Sequence, residues 1–113
     1  MQRLPKQLVP TQHLTIAAAT YYTAPTLTTA DIASATATNT TGTPQTITVY
    51  MIVVGGTAVA SNTVVQTRTV PANSSIQLWE LIGQKLAQGQ FIQALASAAT
   101  SITLTIGGYE INS

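Results

Sequence analysis

At 113 residues the chain has the size of one domain. The absence of cysteine excludes disulfides and thiolate metal sites, and a net charge of +1 provides no basic face for nucleic acid. Charged residues make up 6% of the chain against about 25% in an ordinary domain, so the groups from which catalysis is usually built are scarce and the surface reads as one covered by partners.

In chain order, residues 1–12 are expected to form an extended N-terminal arm that floats or lies along a neighbour. Pro5 and Pro10 disfavour helix at the residues before them, and Leu4, Leu8 and Val9 follow no clear period. Two positive charges, Arg3 and Lys6, have no apolar run behind them, so a secretory signal is not expected. Residues 13–113 read as one β-sandwich domain. Leu14 and Ile16 alternate with Thr15, and Pro25 ends the run that passes through Tyr21 and Tyr22. Over 32–39, Ala33, Ala35 and Ala37 alternate with Ser34, Thr36 and Thr38, the period of a half-buried strand. The turn cluster Asn39 to Pro44 follows, then the strongest strand, 45–54, with Ile47, Val49, Met51 and Val53 on one face. The short turn between these two runs predicts an antiparallel hairpin.

Gly55-Gly56 opens a loop to about Asn62. Strands are expected at 63–70 and 76–79, and the spacing predicts one short helix near 80–86. Further strands follow at 91–96, with Ile92, Ala94 and Ala96 alternating, and at 101–111, where Gly107-Gly108 marks a bulge. About seven or eight short strands with turns every 8–12 residues predict an all-β fold, a single antiparallel, jelly-roll-like β-sandwich. The longest apolar stretch, Val49 to Val54 and loosely on to Ala60, is far short of the ~18–20 residues of a membrane-spanning helix. No membrane partner is expected.

Candidate chemistry is thin. His13, Asp31 and one of several serines make a triad only on paper, without a nucleophile elbow. Asp31, Glu80 and Glu110 occupy three separate contexts, unlike a glycosidase pair or a metal site. Gly55-Gly56 lacks the lysine and spacing of a phosphate loop. Asn39-Thr40-Thr41 and Asn73-Ser74-Ser75 match an acceptor pattern for glycosylation but read first as turns. The chain is therefore expected not to be an enzyme, with no catalytic, cofactor or metal residues. Strands 32–39, 45–54 and 101–106 carry no charge that would guard a sheet edge, so association into a homo-oligomer, a dimer or trimer, or with another protein is expected. The candidate interface residues are Arg3, Leu4, Lys6, Leu8 and Val9 in the arm and Tyr21, Tyr22, Tyr50 and Tyr109 beyond it. Trp79 reads equally as core filler or as interface.

Tyr21-Tyr22-Thr23-Ala24-Pro25, then Ser34 through Pro44 and Thr46-Ile47-Thr48-Val49-Tyr50, resemble a group of small virion structural proteins of tailed bacteriophages. So do Leu81-Ile82-Gly83-Gln84-Lys85-Leu86 and Gly89-Gln90-Phe91-Ile92-Gln93-Ala94, although Gln90 stands where that group often carries an acidic residue. The resemblance implies a capsid decoration or cement protein of the virion, made in the host cytoplasm, with the major capsid protein or other virion proteins as partners. A neck, tail or fibre component is the alternative within the same particle. A carbohydrate-binding sandwich for host adsorption is a third reading, and needs an aromatic cluster from Tyr21, Tyr22 and Trp79.

Overall fold

The computed structural model describes residues 2–98 and 100–112, the side chains of residues 2, 3 and 112 excepted. The described residues form nine strands: β1 (Gln2–His13), β2 (Ala19–Thr23), β3 (Thr28–Asn39), β4 (Gln45–Ile52), β5 (Thr63–Val70), β6 (Ser74–Gln77), β7 (Lys85–Leu86), β8 (Phe91–Ala96) and β9 (Ile102–Asn112). Two sheets face each other. One has the order β1-β9-β3-β6, with β7 also on β3, and the other has the order β2-β8-β4-β5.

All pairings are antiparallel, and they share one logic. The chain doubles back at the β4–β5 connection, so that β4 meets β5, β3 meets β6, β2 meets β8 and β1 meets β9. Winding this long double ribbon then brings β9 against β3 and β8 against β4. That is a jelly roll, an all-β sandwich as the turn spacing predicts. It corrects the expected hairpin between 32–39 and 45–54. β3 and β4 lie in opposite sheets, and the Asn39–Pro44 turn carries the chain across. Asn39, almost fully buried, anchors that crossing: its amide donates to the carbonyls of Thr43 at 2.8 Å and Val70 at 3.0 Å.

The segment expected as an extended arm, floating or lying along a neighbour, is the outer strand of this chain's own sheet. β1 runs along β9 from Gln2 opposite Asn112 to His13 opposite Thr103. Its prolines are tolerated because an edge strand has one side with no ladder to complete. The helix expected near 80–86 is also absent. Leu81, Ile82 and Gln84 donate to the carbonyls three residues before them, and Gly83 takes a φ of 89°, so the turn ends there. β3 then captures the backbone: Gly83 donates to Ile32 at 2.8 Å and Ile32 donates to Gln84 at 3.0 Å, before β7 pairs with Ala30 and Asp31.

The glycine pair does mark an irregularity, but the extra residues belong to the neighbouring strands. Ala33 is left over on β3 between Ile32 and Ser34, and Leu8 on β1 between Gln7 and Val9. The backbones approach so closely that a Cβ on Gly108 would collide with the carbonyl oxygen of Asp31. The leftover residue reverses the phase of β3, so that Ala30 and Ile32 are buried before it and Ala35 and Ala37 after it, while Ala33 is exposed. Between the sheets, Ile102, Leu104 and Ile106 of β9 join Ile47 and Val49 of β4 and Ile92, Ala94 and Ala96 of β8 in the buried core. Leu78, Leu81 and Leu86 complete it from the β6–β7 region. The volume lost to inward alanines is thus recovered from leucine and isoleucine, not from the tryptophan.

Candidate interaction surface

The few charges neutralise one another. Lys6 lies 3.3 Å from Glu110, Lys85 lies 3.1 Å from Asp31, and Arg68 is paired with Glu80. These pairs engage every acidic side chain and every basic side chain among the described residues. The side chain of Arg3 lies outside the described residues.

Two of the pairs close the open sides of the sandwich. On one side β1 and β2 are the outer strands. There Glu110, inward-facing on β9, accepts a 2.6 Å hydrogen bond from the hydroxyl of buried Tyr22 on β2 and receives Lys6 from β1. Burial pushes the Tyr22 hydroxyl well above its ordinary value, and the hydrogen bond to Glu110 and its negative charge act in the same direction. Tyr22 is thus held neutral as a donor that joins the two sheets. On the other side Arg68 of β5 reaches Glu80 in the turn between β6 and β7.

The residues weighed for catalysis are dispersed. His13 is exposed at the end of β1, with its Nδ1 3.4 Å from Thr103 Oγ1. Asp31, Glu80 and Glu110 each belong to a different ion pair. Among the described residues no three His, Cys, Asp or Glu side chains are grouped so as to hold a metal ion. Among the described residues no helix is long and apolar enough to cross a membrane.

The candidate interface residues divide. Leu8, Val9 and Tyr22 are buried in this chain's own core and are corrected from interface to core, because β1 and β2 bring them between the sheets. Tyr21, Tyr50 and Tyr109 are half-buried, and the Tyr21 hydroxyl accepts from the Thr15 amide at 3.2 Å. Leu4 and Lys6 remain at the surface. Trp79 is 67% exposed, which settles its place outside the core. Ile16, Leu27, Val53, Val54 and Val59 are exposed with it.

A cavity of about 370 Å³ opens between β5 and β7. Met51, Val53, Val64 and Leu86 form its apolar surface, and Ser61, Gln84 and Gln90 supply hydroxyl and amide groups. No family model, curated protein or solved structure matches the chain. Sequence reasoning missed this cavity because its walls come from segments 51–64 and 84–90, which share no motif. The inward carboxylate had a visible signal: the alternation of Ile102, Leu104 and Ile106, continued across the glycine pair, falls on Glu110.

Proposed function

We propose that this chain is a non-enzymatic structural protein of a virion, a decoration or cement protein that stabilises the head of a tailed phage by docking on the major capsid protein. The observation that carries the reading is the surface itself: Trp79 and several valines stand exposed while each described acidic group is already matched to a base. Such a surface is suited to being covered by apolar and backbone contacts. The jelly roll supports the reading by analogy, since that architecture recurs in viral capsid and lectin domains, although a fold does not by itself set a function. The N-terminal segment is committed to β9, so the contacts are assigned to the open edges and exposed apolar side chains in place of a free arm. Repetition over a symmetric shell, with the chain itself as a dimer or trimer, multiplies weak contacts.

The test is to purify intact particles and count copies of this chain in them. Hundreds of copies per particle, in order of magnitude, are expected from shell symmetry for a cement protein. About a dozen or fewer would move the protein to the neck, tail or fibre, and none would overturn the reading. A glycan screen addresses the adsorption alternative. With Tyr22 buried and Tyr21 half-buried, Trp79 has no exposed tyrosine from the expected cluster beside it.

A further inference from the structure

We infer that β1 is exchanged between two copies of this chain, each laying its N-terminal strand along β9 of the other. Among the described residues β1 pairs with β9 alone, as the outer strand of its sheet and the first strand of the chain. Between Leu4 and His13 only Leu8 and Val9 are buried. One link ties β1 to the rest, so it moves without opening any other strand pair.

The seat on β9 selects β1 itself. Leu8 is left over between Gln7 opposite Gly107 and Val9 opposite Ile106, and a second shift follows before Gln12 opposite Leu104. Consecutive Leu8 and Val9 are both buried, which a regular strand with alternating faces does not allow. Lys6 reaches Glu110 at 3.3 Å, and the Thr11 hydroxyl lies 2.8 Å from that of Thr105. A strand without the extra residues would turn the wrong side chains inward beyond Gly107. A second copy of this chain carries the strand that meets every one of these demands.

The link to β2 favours the open form. Five residues, 14–18, turn the chain from the end of β1 in one sheet to β2 in the other. The Leu14 amide donates to the Ile102 carbonyl at 2.8 Å, and the Thr15 carbonyl accepts from the Ala96 amide at 2.9 Å. The reversal is thus left to Ile16, Ala17 and Ala18, all exposed, and is bent by the Thr15 hydroxyl donating to the Ala17 carbonyl at 2.6 Å. None of the three is Gly, Pro, Asn, Asp or Ser, the residues that specify turns. Ile16 is 61% exposed and, being β-branched, is suited to an extended path. Straightening the link carries β1 to another copy, and short links invite such exchange. Both forms contain the same β1–β9 ladder and the same Lys6–Glu110 pair, so they differ only in the link and in the cost of association. Reciprocal exchange fills both seats and closes a two-fold dimer. With an undemanding link the two forms balance at about millimolar concentration, and the cost of the short reversal lowers that value.

The experiment uses two single-cysteine forms of the full chain, Thr11→Cys and Thr105→Cys, in a protein with no cysteine of its own. One form is isotope-labelled, the two are mixed at about millimolar concentration and oxidised, and the cross-linked pairs are identified by mass spectrometry. Residue 11 of one chain joined to residue 105 of the other is the expected product. A matching yield of 11–11 or 105–105 pairs would show surfaces meeting without exchange and would overturn the inference, as would the absence of cross-links. Both substitutions in one chain should give an intrachain disulfide at micromolar concentration, and failure there overturns the seat itself. Deleting Ala17 and Ala18 should lower the monomer–dimer midpoint at least about tenfold in analytical ultracentrifugation, and inserting four Gly/Ser residues after Ala17 should raise it by a similar factor. A midpoint unchanged by both overturns the link's role. Exchange is a property of the free chain, so its failure leaves the copy-number result standing, and failure of the copy count leaves exchange standing.

Discussion

Glu110 sits where the inward row of β9 would otherwise hold another aliphatic side chain. Its near-complete burial is offset by two partners, the Tyr22 hydroxyl at 2.6 Å and Lys6 at 3.3 Å. Tyr22→Phe removes the neutral donor and leaves a buried carboxylate oxygen less well satisfied. A loss of about 1.5–3 kcal/mol is expected, measured by urea unfolding. The same hydroxyl gives a pH signature. Its folded-state value is raised above the ordinary 10.0, so its contribution to stability is complete below about pH 10 and is lost as pH rises through the higher folded value. The stability gap between the native chain and Tyr22→Phe should therefore narrow above pH 10, and a constant gap would remove the assignment. Gly108 is the second position where one residue governs the fold. A methyl group there meets the Asp31 carbonyl, so Gly108→Ala should cost about 2–4 kcal/mol. Gly42→Ala, with open space around it, should stay within about 0.5 kcal/mol. Thermal unfolding of the two variants side by side checks both.

At the scale of elements, β1 decides whether the first sheet is complete. It covers β9 along its length, brings Leu8 and Val9 into the core and supplies Lys6 to Glu110. Removing residues 1–13 should strip these contacts and uncover β9 as a long edge whose residues between Ile102 and Tyr109 carry no charge. The truncated protein is expected to be unfolded or self-associated at micromolar concentration, read by size-exclusion chromatography with light scattering. A stable truncated monomer would show β1 to be an accessory. The 80–86 segment shows the opposite balance. Local sequence favours a helical turn there, yet capture of its backbone by β3 around Ile32 settles a turn and a two-residue strand. A single turn has too few internal hydrogen bonds to resist that pairing.

For the whole molecule, the outcome of scarce charge is self-neutralisation. With the described ions matched in pairs, the exposed apolar residues have little net charge to keep copies apart. The combined substitution Trp79→Lys and Val54→Lys, at two exposed sites, should reduce self-association in concentrated solution while changing stability by less than about 1 kcal/mol. Analytical ultracentrifugation across a concentration series measures this. Unchanged association would place the contact elsewhere, at Leu4 or the strand edges. The winding also sets the folding rate. Gln2 pairs with Asn112, so closure joins the two ends of the described chain, and folding on the millisecond-to-second scale is expected in stopped-flow refolding.

The sequence by itself determined the all-β class, most strand positions and the inward row from Ile102 to Ile106. Period-two alternation and turn residues act locally, within the reach of a few side chains. It also carried the phase that turns Glu110 inward. Which strand lies beside which was decided only by the tertiary structure. β3 and β4 read as a hairpin because they are neighbours in the chain, but burial of both apolar faces is met by winding the doubled chain into two sheets. The same long-range step turned the N-terminal segment from an arm into a strand, placed Tyr22 inside and Trp79 outside, and left β5 and β7 facing each other across an open groove. The scarcity of charge was legible from the start. That each acid would find its base on another strand was not, because those pairings form only when distant segments of the chain are brought together.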